Sequence, residues 1–159
     1  MAAIKNATLI VEPYNSLTVK VTVKYTIFQF PLEYWAQTLY QEEISLFGDD
    51  NLHEDNPMFL EVVIPDDVID VFPTIRPISN PHQPPPPVFQ FERTRVKIVA
   101  KEAMNEDPGL LESFPPIPLR DEVYALITLR TVANPVTWPP LPQVVRARTN
   151  TVTGIWGLP

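Results

Sequence analysis

The stretch Leu17-Thr-Val-Lys-Val-Thr-Val-Lys-Tyr-Thr-Ile27 decides the fold class. Leu17, Val19, Val21, Val23, Tyr25 and Ile27 alternate without a fault with Thr18, Lys20, Thr22, Lys24 and Thr26. Successive side chains of a β-strand point to opposite faces, so the pattern predicts a strand with one buried face and one wet face. At about 3.3 Å per residue it spans more than about 30 Å, longer than the usual strand, and is expected to bend or to cross between sheets.

On the N-terminal side, Thr8 to Glu12 reads as a partner strand, and Pro13-Tyr-Asn-Ser16 supplies the turn of a hairpin. On the C-terminal side, Thr38 to Phe47 places Tyr40, Glu42, Ile44 and Leu46 on one face. A carboxylate in such a row must sit at a bulge, near an edge or beside a partner. Gly48-Asp49-Asp50-Asn51 ends that strand. Further strands are expected at Met58 to Ile64, at Thr94 to Ala100 with Val96, Ile98 and Ala100 inward, at Glu122 to Val132, and at Gln143 to Thr149. Lys101 to Asp107 suits one helical turn before Pro108-Gly109 breaks it. The strands number about seven, which fits an antiparallel β-sandwich. With no internal repeat and no boundary signal, residues 1–159 read as one domain, with a Pro-rich crossover loop from about residue 65 to 92.

Composition supports this reading. The chain has 159 residues, 45% hydrophobic and 19% charged, enough to build a core unaided. Twenty prolines argue against a helical bundle, because each interior proline costs a helix about 3 kcal/mol. Only four glycines leave Asn, Asp and Pro to shape most turns. The net charge of −7 argues against a nucleic-acid partner, which needs a basic face. The absence of cysteine removes disulfides and thiolate metal sites. Met1 to Asn6 is short and polar, the run Leu9 to Val11 is too short for a signal-peptide core, and no stretch approaches a membrane span. The expectation is a protein that is cytoplasmic as synthesised and not inserted in a membrane, with export without a cleaved signal or packaging into a particle as alternatives.

Several short motifs carry a family resemblance: Gly48-Asp-Asp after a strand, Glu106-Asp107-Pro108, Asp121-Glu122-Val-Tyr124 and the ending Asn150-Thr-Val-Thr-Gly154. Together with Trp35 and the lack of cysteine, they resemble small bacterial immunoglobulin-like proteins of uncharacterised function. The resemblance implies an immunoglobulin-like sandwich and names no activity. The stretch Pro73 to Pro87 departs from it. Tyr124, where a strand leaves the loop Pro115 to Asp121, is similar to the tyrosine corner of such sandwiches, in which the phenol bonds back to upstream backbone.

The residues offer little for catalysis. A nucleophile needs a base within hydrogen-bond reach, and the two histidines, His53 and His82, sit beside Asp, Asn and Pro rather than in a nucleophile setting. Glu42 and Glu43 are adjacent, so they point to opposite faces and do not share a site. No Gly-rich phosphate loop or His-x-x-x-His pair is present. The chain is therefore expected not to be an enzyme.

Binding is the stronger expectation. In Val123 to Val132, Val123, Ala125, Ile127 and Leu129 fill one face while Tyr124, Leu126 and Val132 lie on the other. The second face either lies under a loop or meets another chain. A structural or protein-interaction module follows, self-associating or part of a larger particle, with Tyr124, Leu126, Trp138 and Trp156 as candidate contact residues. The alternative is a ligand-binding module. Its calcium site would use Asp49, Asp50, Glu54 and Asp55, since calcium takes six to eight oxygens and loops at a sandwich end can wrap it. Its carbohydrate site would use exposed tryptophans, although capping of the core is the preferred reading of Trp138 and Trp156. The Pro84 to Pro87 run favours polyproline II geometry, as a docking peptide or as a stiff connector, and the connector is preferred.

Overall fold

The alternating stretch becomes the middle strand of a three-stranded antiparallel sheet. In a computed structural model, residues 2–30, 39–48, 64–69, 89–105, 110–111, 117–118, 120–132 and 143–156 are described. β1 (Ala3–Pro13) and β2 (Thr18–Gln29) form the expected hairpin, and β5 (Phe89–Ala100) pairs along the whole of the other side of β2. The second sheet holds β3 (Leu39–Gly48), β4 (Ile64–Ile69), β8 (Asp121–Val132), β9 (Val144–Arg148) and β10 (Val152–Gly154). Its order is β10-β8-β3-β4, with β9 also on β8. A two-residue ladder joins β6 (Leu110–Leu111) to β7 (Ile117–Pro118), and a 3-10 turn at Lys101–Met104 follows β5. The architecture is all-β, two main antiparallel sheets that do not close into a barrel.

One buried cluster lies between the sheets. β2 contributes Val19, Val21, Val23, Tyr25 and Ile27, β3 contributes Tyr40, Ile44 and Leu46, and β8 contributes Val123, Ala125, Ile127 and Leu129. Leu17, the first residue of the alternation, precedes the strand and is exposed. The other face of β2 is less wet than its Thr/Lys pattern implies. Thr22 and Thr26 are buried, because β2 is central and Thr22 sits in register between Ile10 and Val96. Despite its length β2 stays in one sheet and does not cross to the other. The irregularity is taken up by β1, where Asn6 and Ala7 stand between the pairs Lys5–Thr26 and Thr8–Lys24. Asn6 has φ of 54°, the left-handed conformation that Asn tolerates better than other non-glycine residues.

β5 reverses its expected orientation. Val96 and Ile98 face outward, 54% and 42% exposed, and Ala100 is exposed as well. Phe91, Arg93, Arg95, Lys97 and Val99 occupy the inner side instead. The reason lies across the core. Glu42, only 2% exposed, accepts from Arg93 Nε and Nη2 at 3.4 and 3.2 Å, and Arg95 Nε lies 3.3 Å from its Oε2. A buried carboxylate is costly without charged partners. β5 is the last strand of its sheet, so its long arginine stems reach inward while remaining 26% and 22% exposed. Glu42 also lies at a β3–β4 register shift, between its pair with Asp67 and the next pair, Ile44 with Ile64.

The crossover differs in extent from the expectation. Residues 64–69 form β4 and β5 already starts at Phe89, so only residues 70–88 between them lie outside the described structure. The expected strand at Met58 to Ile64 falls, apart from Ile64, outside the described residues, as does the Pro73 to Pro87 stretch.

Candidate interaction surface

The sequence pattern of β8 gives it two apolar faces, and the structure covers them differently. Asp121, Val123, Ala125, Ile127 and Leu129 point into the core. Glu122, Tyr124, Leu126, Thr128 and Arg130 form the central column of the outer face of the larger sheet. On one side β3 brings Phe47, Ser45, Glu43 and Gln41 into register with Tyr124, Leu126, Thr128 and Arg130. On the other side β9 brings Arg148, Arg146 and Val144 beside Leu126, Thr128 and Arg130.

Tyr124 makes the aromatic contacts of this face. Its ring stacks on Phe47, with centroids 5.6 Å apart and planes inclined by 20°. The Arg148 guanidinium carbon stands 3.8 Å from the ring centroid, reaching diagonally from its register partner Leu126. Arg148 Nη2 also donates to Thr151 Oγ1 at 3.1 Å. A cation over an aromatic face at an exposed site contributes about 0.5–1 kcal/mol, enough to hold the guanidinium in place without hiding it. Arg130 Nη2 lies 3.1 Å from Glu43 Oε2, an exposed pair of the kind that contributes little to stability. Arg146 is exposed and makes no ion pair among the described residues. The expected apolar second face is thus an aromatic and aliphatic strip, Phe47, Tyr124 and Leu126, set among charged side chains. Residues 115, 116 and 119 of the loop to which a corner tyrosine would bond lie outside the described residues.

Backbone replacement by side chains fixes the arginine strand. β9 and β10 both pair with β8, but the register slips by one residue between Arg148–Leu126 and Val152–Val123. At the slip, Thr149 Oγ1 accepts from the Ala125 amide at 2.9 Å. The Asn150 side chain behaves as a surrogate peptide: its Oδ1 accepts from Leu9 N–H at 2.8 Å and its Nδ2 donates to Leu9 C=O at 3.2 Å. This ties the outer edge of β1 to the opposite sheet and covers an otherwise open edge. Trp156, 6% exposed, belongs to the buried cluster, and its amide donates to Asp121 Oδ2 at 3.4 Å. Gly154 suits the position beside it, since a Cβ there would overlap the Trp156 ring at Cζ2 and Cε2. Trp156 therefore sits as an anchor of the core, away from the Tyr124 face.

The remaining candidates, Asp49, Asp50, Glu54, Asp55 and Trp138, lie outside the described residues, and the calcium expectation with them. Among the described residues, no three His, Asp or Glu side chains are grouped so as to hold a metal ion, and no helix is long and apolar enough to cross a membrane. Sequence reading missed Phe47, Arg146 and Arg148 as members of the surface. For the two arginines the signal was present in Val144-Val-Arg-Ala-Arg148, whose period of two puts both on one face.

The smaller sheet presents a contrasting outer face. Ile10, Thr22 and Val96 form one cross-strand row, and Ile98, Lys20 and Glu12 the next. Lys20 Nζ lies 2.9 Å from Glu12 Oε2 and holds that exposed carboxyl below its ordinary range, by hydrogen bonding and by charge.

No family model, curated protein or solved structure matches the chain.

Proposed function

We propose that this protein is a non-enzymatic interaction module on an immunoglobulin-like sandwich, and that it binds a protein partner through the Phe47–Tyr124–Leu126 face. The immunoglobulin-like reading is supported by strand order. The first, second and fifth strands share one sheet, while the third, fourth, eighth, ninth and tenth share the other, the alternation between sheets that Greek-key sandwiches use.

The observation that carries the functional reading is the stack of Arg148 on Tyr124 on Phe47 beside Leu126. Tyrosine and arginine are the residue types enriched where protein interfaces concentrate their binding energy, especially when already held rigid before the partner arrives. An apolar strip with charged side chains around it has the layout of an interface core and rim.

The test is a photo-reactive phenylalanine analogue placed at position 126 and, separately, at position 96 on the opposite sheet, in the cells that make the protein. Protein adducts from position 126 and few from position 96 are expected. Adducts from 96 with none from 126 would overturn the assignment of the face, and none from either would overturn the interaction reading.

A further inference from the structure

The row Glu43–Thr128–Arg146 runs across the candidate face with the carboxylate on one side of β8 and the cation on the other. Resting on the interaction reading above, we propose that the partner is a second copy of this chain, docked face to face about a two-fold axis running along β8. Such a rotation exchanges the β3 side of one copy with the β9 side of the other and leaves position along the strand unchanged. Glu43 of each copy then lies over Arg146 of the other, twice, with Thr128 near the axis. Leu126 meets Leu126 and Tyr124 meets Tyr124, so the apolar strip is self-matching, as an isologous interface requires.

The row of Glu43 and Arg146 favours this occupant, while Arg130, which the same axis sets opposite Arg130 of the second copy, is drawn toward Glu43 of its own chain. Glu43 holds Arg130 within its own copy at 3.1 Å, and Arg146 has no ion-pair partner among the described residues. A carboxylate accommodates two guanidinium groups, so Glu43 can take Arg146 of the second copy without releasing Arg130. The other face-to-face two-fold, in the plane of the interface but perpendicular to β8 at the Thr128 row, sets Arg146 over Arg146 and Glu43 over Glu43, which like-charge repulsion disfavours. The face is three strands wide, at about 4.8 Å per strand, and an interface of that size falls at the weak, transient end of the range. Association is therefore expected to depend visibly on concentration and on salt.

The test is solution mass by light scattering on the purified full chain across a wide concentration range, at low and high salt. Wild type should shift from one chain toward two as concentration rises, with the shift weakened by salt. Glu43→Arg and Arg146→Glu should each raise the dissociation constant at least tenfold. The double reversal in one chain should recover most of the association, because the two-fold axis restores both pairs. A wild-type monomer at every concentration overturns the second copy as partner. If position 126 still captures a different protein in cells, the interaction reading survives that outcome. Single reversals without effect, or a double reversal no better than the singles, overturn the two-fold geometry even if dimers form.

Discussion

β2 and β5 lie side by side in one sheet, twelve residues each, both with period-two sequences, yet one obeys its hydrophobic pattern and the other inverts it. Along β2 every inward valine is buried, while along β5 Val96 and Ile98 are turned to solvent and Arg93 and Arg95 are turned inward. The difference teaches that period alone fixes a strand's two faces but not which one is the inside. For a central strand flanked on both sides, burial of apolar area settles the choice at about 25 cal/mol per Å². For an edge strand the apolar gain is smaller, and a single buried carboxylate on the opposite sheet outweighs it.

The comparison breaks most decisively at the ion cluster. Arg93→Met with Arg95→Met leaves Glu42 buried and uncompensated, and urea denaturation should show a loss of about 3–5 kcal/mol. Adding Glu42→Met to that pair should recover much of the loss, since apolar replacement of a whole buried ion cluster is often neutral or stabilising. Failure of the third substitution to help would mean that the arginines hold β5 by something other than Glu42. Next in size is Ile27→Ala on the inner column of β2, expected to cost about 2–5 kcal/mol in the same measurement. Smallest is Val96→Ala on β5, expected to stay within about 0.5 kcal/mol, as exposed positions do. A large loss at Val96 would show that its face is covered in the folded protein, by another copy or another segment.

The outer faces of the two sheets repeat the lesson in a form that bears on function. Leu126 and Tyr124 stood out in the sequence as surplus apolar residues on β8, and they do lie outward. Their neighbours did not stand out, because Phe47, Arg146 and Arg148 belong to other strands, Phe47 lying 77 residues before Tyr124 and Arg148 coming 22 residues after Leu126, and only register brings them together. Trp156 lies in an irregular segment, where a large aromatic is better read as an anchor of the core than as a ligand contact, and it is buried. Its burial follows from a glycine two residues earlier and a buried Asp121, a pairing that exists only once β10 lies on β8.

By itself, the sequence determined that the chain is built of strands, where most of them run, and which side of β2 and β8 belongs to the core. Those properties depend on local alternation and on the bulk of apolar side chains, both visible residue by residue. It also established that Glu42 needed a bulge, an edge or a partner, because a carboxylate in an apolar row is costly without one of them. Only the tertiary structure decided who that partner is, that β5 turns its arginines inward to meet it, and that Asn150 stands in for a peptide group at the edge of β1. These are pairings between residues 51 and 141 positions apart, and their free energy is set by geometry across the sheets, where no local pattern reaches.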